Sequence, residues 1–114
     1  MKTSECAKLA GISVDTLRYY EKYGLIKPKK EGYSREYTTE DIEQLKYIAI
    51  FKAVGMKLSD IKLINDMDEV NIDYETIKAL LESYLEKVEK QEEMLKYSKN
   101  ILTRALNKVK GVLK

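Results

Sequence analysis

Apolar residues fall along this chain in several short clusters and then in one long, regular series. In "SECAKLAG", Cys6, Leu9 and Ala10 share one face of a short helix, with Ser4 in the N-cap position. Gly11 supplies the left-handed position that ends it, and only Ile12 intervenes before Ser13, a second N-cap. The spacing predicts another helix in "SVDTLRYYEKYGLI", closed by Gly24. Val14 and Leu17 face inward there, Asp15, Thr16, Arg18 and Tyr19 face outward, and Tyr20 stands on the border between the two faces. Two short helices joined by a tight turn with glycine form a helix-turn-helix pattern.

The next stretch, "LIKPKKEGYSREYT", changes period. Leu25 and Ile26 open a strand-like segment that Pro28 restricts to an edge, Gly32 marks a turn, and "YSREY" returns with strand-like alternation. The result is a basic two-stranded hairpin, or wing. Thr38 then caps a third helix, with Asp41 at N3 completing a capping box in which Asp replaces Glu. Ile42, Leu45, Ile48, Ala49 and Val54 give that helix its apolar stripe, and Gly55 stops it. "LSDIKLI" reads as a fourth helix, preceded by Lys57, a poor capping residue.

Beyond the polar connection "NDMDEVNID", one helix is predicted from about Asp73 to Lys110, with no glycine or proline. At ~1.5 Å per residue it is on the order of 57 Å long. Leu81, Val88, Leu95, Leu102 and Val109 recur every seven residues, beside Tyr84, Gln91, Ser98, Ala105 and Val112. That pattern describes a coiled-coil seam, widened by Leu80, Met94 and Ile101. A helix so exposed finds no partner in its own chain, so the seam predicts a homodimer. The competing arrangement folds the helix back on the first domain.

Composition narrows the chemistry. A chain of 114 residues with 44% hydrophobic and 35% charged residues is globular in character, and the head is too small to be more than marginally stable alone. No apolar run is long enough to span a bilayer, which predicts no membrane association. With no signal-like N-terminus and a single cysteine, a cytoplasmic location is expected. With no histidine and one cysteine, no Cys/His zinc cluster and no His-assisted nucleophile can be built. None of the five glycines makes a phosphate loop, and pairs such as Asp66/Asp68 and Glu92/Glu93 lie in solvated charged stretches. Neither an enzyme nor a metal or cofactor carrier is expected. Residues 1–64 hold 12 Lys and Arg against 9 Asp and Glu, and residues 65–114 hold 9 against 10, so the small basic excess belongs to the first part.

The run "AKLAGISVDTLRYYEKYGLI", followed by "REYTTEDIEQLKYIAIFKAVGMKLSDIKLI", resembles the DNA-binding domain of the MerR family of bacterial transcription regulators. The likeness is close over roughly residues 3–66 and architectural in the long helix. It implies a mainly α fold, in which a winged helix-turn-helix domain with a small β-hairpin wing (residues 1–70) precedes a long coiled-coil dimerisation helix (residues 71–114). It also implies a homodimer with an antiparallel coiled coil, bound to double-stranded DNA at a pseudo-palindromic promoter site. The DNA is distorted there, with RNA polymerase as a further partner. Many members continue into an effector domain or a cysteine-bearing metal loop; this chain is expected to lack one.

The resemblance places Arg18, Tyr19, Tyr20, Arg35, Tyr37 and Lys52 at the DNA. Arginine suits phosphate through its planar set of donors, and tyrosine adds a hydroxyl on a stiff stem. The N-cap at Ser13 can set backbone N–H groups against a phosphate, which leaves base edges to Asp15 and Thr16. Core packing is the alternative role for Tyr20 and Tyr23. The family's wing usually reads Gly-Tyr-Arg-x-Tyr, whereas "GYSREY" inserts Ser34 before Arg35. Cys6 takes a position that is usually aliphatic in the family, which favours a buried thiol over a redox sensor. Two other functions fit parts of the pattern: a DNA-bending accessory factor like an excisionase, and a coiled-coil adaptor that binds protein alone. The adaptor has no use for phosphate contacts from Arg18, Arg35 and Lys52 on three separate elements.

Overall fold

The structure, a computed structural model, describes residues 1–69 and 73–114; the boundary expected between residues 70 and 71 lies outside the described residues. Among the described residues, five helices and one hairpin follow in the order α1 (Thr3–Ala10), α2 (Val14–Tyr23), β1 (Lys29–Glu31), β2 (Ser34–Glu36), α3 (Thr39–Ala53), α4 (Leu58–Asn65) and α5 (Tyr74–Val112). They divide into two compact units, residues 1–77 and residues 78–114. No described helix is long and apolar enough to cross a membrane.

Helix α1 starts two residues earlier than Ser4 would set it. Lys2 is its N-cap and makes no side-chain capping bond, while the Cys6 N–H already reaches the Lys2 carbonyl at 3.0 Å. Ser4 therefore sits inside the first turn. The buried face carries Cys6 and Ala7, and Leu9 is 56% exposed, contrary to the expectation that Leu9 faces the core. The 3.6-residue period explains the difference, because residues 3, 6, 7 and 10 lie on one side and residue 9 does not.

Helix α2 matches its sequence signals closely. Ser13 caps it by accepting the Thr16 N–H at 3.0 Å. At the other end the Gly24 N–H bonds the Glu21 carbonyl and the Leu25 N–H bonds the Tyr20 carbonyl, a Schellman ending. Gly24 has φ +89°, so glycine is favoured there by conformation; a Cβ would meet the tip of the Lys62 side chain at 2.9 Å. Leu17 and Tyr20 are buried, and Val14 is only half-buried.

The hairpin is shorter than the sequence suggests. Leu25 and Ile26 are buried but precede the strand, because the Leu25 N–H is committed to the helix end and Pro28 has no N–H to give. β1 and β2 pair antiparallel as Lys29 with Glu36, Lys30 with Arg35 and Glu31 with Ser34, leaving Gly32 and Tyr33 as the turn. Thr38 and Asp41 form the reciprocal capping box at the start of α3. On α3, Leu45 and Ile48 are buried while Ala49 is exposed, so the expected stripe is narrower than read. Met56 and Ile61 complete the core of this unit from the α4 side.

Two polar contacts join α4 and the turn after it to the segment that leaves α2, and Lys62 packs beside them. Lys62 stands beside Gly24 and pairs with the buried Asp66 at 2.7 Å. The Asn65 amide donates to the Leu25 carbonyl at 3.4 Å, and Lys27 pairs with Glu69 at 2.9 Å. Both the end of α2 and the approach to the wing are thereby fixed within the first unit.

In α5 the first turn is fixed by Asp73, whose carboxylate accepts the Glu75 N–H at 3.0 Å. The heptad residues Leu81, Leu95, Leu102 and Val109 are exposed on the isolated chain, and Val88 is half-buried.

Candidate nucleic-acid interface

Helix α2 builds the interface from its N-terminus upward. Ser13 donates its hydroxyl to Thr16 Oγ1 at 2.8 Å while accepting the Thr16 N–H, so the two hydroxyls are locked together at the helix start. Asp15 is exposed beside them. One turn on, Arg18 and Tyr19 are exposed, and Tyr19 stacks on Tyr23 with ring centroids 6.1 Å apart and planes 15° from parallel. That stack gives α2 a stiff aromatic edge. From the end of α3, Lys52 places its ammonium 6.0 Å from the centre of the Tyr20 ring, at the outer limit of a cation–π contact.

Between α2 and the wing lies a concavity of about 460 Å³. Four cations border it, Arg18 and Lys22 from the helix and Lys30 and Arg35 from the hairpin. Thr3 and Tyr33 complete the rim, and Tyr33 is fully exposed at the wing tip. One carboxylate, Glu21, enters this basic group. Its Oε1 accepts from Arg35 Nε at 2.6 Å and lies 3.6 Å from Lys30 Nζ, and its Oε2 accepts from the Tyr37 hydroxyl at 3.4 Å. Charge-assisted bonds of this kind contribute about 1.5–3 kcal/mol when they are sheltered from water. The wing's other flank is held by the chain start: the Tyr37 N–H donates to the Met1 carbonyl at 2.8 Å, and Lys2 pairs with Glu36 at 3.0 Å.

The expected contact residues thus fall into two sets. Ser13, Asp15, Thr16, Arg18, Tyr19 and Lys52 are on the surface or at its edge, and Arg35 is part-buried in the concavity. Tyr20 and Tyr37 are the buried members of the group, 6% and 2% exposed. Both rings fill the core beneath the interface. Burial pushes the Tyr37 phenol above its ordinary pKa, with the Glu21 charge adding to the shift, so it remains a neutral hydrogen-bond donor. Sequence reasoning missed Glu21, Lys22, Lys30 and Tyr33. The three lysines of "KPKKEGY" signalled a cationic wing, but nothing local in the chain pointed Glu21 at it.

Comparison with known proteins gives this surface a context. Residues 1–68 match the model of the MerR HTH family of regulatory proteins. Among curated sequences, the chain is 33% identical over 91 residues to a ZntR-homologous HTH-type transcriptional regulator of Haemophilus influenzae, covering 77% of this chain and 67% of that one. It is 32% identical to YyaN of Bacillus subtilis, an uncharacterised HTH-type transcriptional regulator, with 96% of this chain and 86% of the relative covered. Among solved structures it resembles HiNmlR, a MerR family regulator lacking the sensor domain and bound to promoter DNA, with a TM-score of 0.68 at 32% identity over 84% of this chain and 75% of that one. A helix-turn-helix with a basic wing, matched along its whole length by one family, has a single reading: the chain belongs to the MerR family of helix-turn-helix regulatory proteins and is a DNA-binding transcriptional regulator.

Proposed function

We propose that this regulator works as a homodimer whose two heads grip one pseudo-palindromic promoter site and distort the DNA between them. The observation that carries the reading is the convergence of Arg18 and Lys22 from α2 with Lys30 and Arg35 from the wing on one concavity. Cations from two elements on one hollow suit a phosphate backbone that curves past both. In this reading Arg18, Arg35 and Lys52 position the backbone, Ser13 aims the N-terminus of α2 at a phosphate, and Tyr19 adds a hydroxyl donor. Base edges fall to Asp15 and Thr16, the exposed or half-exposed polar residues of the first turn. Tyr20 and Tyr37 support these groups from below. A promoter-bound solved relative favours the same target, and RNA polymerase is the natural neighbour at a promoter. A regulator works in the compartment that holds the DNA, which underlies the cytoplasmic placement.

The long helix supports an antiparallel pair. Residues 74–93 carry six glutamates against three lysines, whereas residues 94–112 carry five Lys or Arg and no carboxylate. Aligned in parallel, two copies set like charges together along both halves. Aligned antiparallel, each acidic half meets a basic one, and Leu81, Val88, Leu95, Leu102 and Val109 are covered.

Selection of bound duplexes from a random library by the purified protein, followed by footprinting on its own promoters, tests the reading. A two-fold symmetric motif overlapping a promoter is the expected result. An asymmetric motif, or none, overturns it.

A further inference from the structure

Position 21 is the wrong place for a negative charge if the surface serves only to attract DNA. A carboxylate among Arg18, Lys22, Lys30 and Arg35 weakens the local positive potential and repels the phosphates those cations meet. Its geometry shows what offsets that cost. The Glu21 side chain is only 13% exposed and reaches out from the recognition helix to three wing groups, Lys30, Arg35 and Tyr37. The wing needs such a hold. It consists of two three-residue strands whose residues are exposed apart from Arg35, and a lone two-stranded hairpin is marginal in water. Glu21 takes only the Nε donor of Arg35, while Nη1 makes long contacts to the Gly32 and Ser34 carbonyls at 3.5 and 3.4 Å. Most of the guanidinium fork remains available to a phosphate, with its plane already set.

We infer that Glu21 is a positioning residue of the DNA interface: it locks the wing to the recognition helix, so that cations from both elements meet the DNA in one fixed register. The inference rests on the DNA-binding reading above and adds a requirement to it. Binding to the right site depends on a residue whose own charge opposes binding. Charge and geometry therefore predict opposite signs for its removal, which makes the role measurable.

The test uses Glu21→Gln and Glu21→Ala in the full chain, titrated by fluorescence anisotropy. The probes are the duplex that the wild-type protein selects from a random library and a scrambled duplex of equal length and composition. Positioning predicts that Glu21→Gln weakens binding to the selected duplex about tenfold, on the scale of one charge-assisted hydrogen bond. Binding to the scrambled duplex holds or strengthens, because a repulsive charge has gone. Arg35→Ala should weaken selected binding in the wild-type background and do so far less in the Glu21→Gln background, since the two act as one unit. Hydrogen exchange should quicken across residues 29–37 in the variant while α2 and α3 keep their protection, which separates a loosened wing from a misfolded head. Equal tightening on both duplexes, or independent effects of Glu21 and Arg35, overturns the inference while leaving DNA binding intact. A wild-type protein that selects no duplex overturns the binding reading and this inference with it.

Discussion

Replacing Leu95 by aspartate puts the proposed dimer to a quantitative test. Leu95 is 70% exposed on the isolated chain, so the substitution costs a monomer almost nothing. In a dimer the same surface is covered. Fully burying a leucine is worth about 1.5–3 kcal/mol, so covering the exposed 70% contributes about 1–2 kcal/mol per chain and about 2–4 for the pair. Aspartate loses that contribution and brings a carboxylate into an apolar contact, at a further cost of about 2 kcal/mol or more. The helix runs from residue 74 to 112, so Leu95 stands two residues from its midpoint. In an antiparallel pair the two new carboxylates lie close together and repel. The sum is about 5 kcal/mol or more, equivalent to three or four decades in the dimer dissociation constant. Sedimentation velocity across a range of protein concentrations is the assay, with circular dichroism to confirm that the helices persist. Leu95→Ala serves as the milder control, and its loss should stay near the apolar contribution alone. A Leu95→Asp protein that sediments as a dimer at the concentrations where the wild type does would refute the placement of Leu95 in the seam.

Four further outcomes follow from the same geometry. A nitroxide on Asn107→Cys, in a Cys6→Ala background, sits 14 residues past the helix midpoint. An antiparallel pair then separates the labels by about 42 Å and a parallel pair by about 10 Å, which pulsed electron resonance distinguishes. Arg18→Ala should weaken binding to all duplexes alike by about 1–3 kcal/mol and lower the salt slope by about one unit, whereas Thr16→Ala should change the preferred base at one symmetric pair of positions. Titration of both variants against an operator library at two salt concentrations separates them, and exchanged phenotypes would reverse the roles. Burial raises the Cys6 thiol pKa in the folded state, so its contribution to stability is complete below the unfolded thiol's pKa and is lost as pH rises through the folded value. Cys6→Ala should therefore flatten the alkaline limb of a stability–pH profile measured by urea unfolding, and an unchanged limb would show that Cys6 has no part in it.

The elements most legible in the sequence were those specified by neighbours along the chain. Ser13, Gly24 and the Thr38–Asp41 pair each fix a helix end through bonds that span three to five residues, and each stands where its local chemistry predicts. The poor cap at Lys57 proved to be one, and α4 begins there because packing of Ile61 outweighs the missing cap. The sequence left open, or misjudged, residues whose fate depends on distant partners. Tyr20 and Tyr37 carry both an apolar body and a hydroxyl, and only the assembled fold decides which one governs. Leu25 and Ile26 have strand-like side chains, but the Leu25 N–H is already taken by the end of α2. Glu21 is invisible in one dimension, because its partners lie 9, 14 and 16 residues further on in a different element.

The unequal distribution of charge along α5 bears on how fast two chains find one another, as well as on how they rest. A rod that is acidic at one end and basic at the other carries a side-chain dipole along its axis. Two such rods approaching side by side through water feel a torque before they touch, and it turns them antiparallel. The orientational search that normally slows association to about 10⁵–10⁷ M⁻¹s⁻¹ is thereby narrowed. Because the Debye length is about 10 Å at 0.1 M salt, the steering acts only over the last stretch of the approach and fades as salt rises. Raising salt should therefore slow the meeting of subunits much more than it hastens their separation. In the proposed pair, the leucine contacts would set the lifetime and the charges around them the speed of assembly.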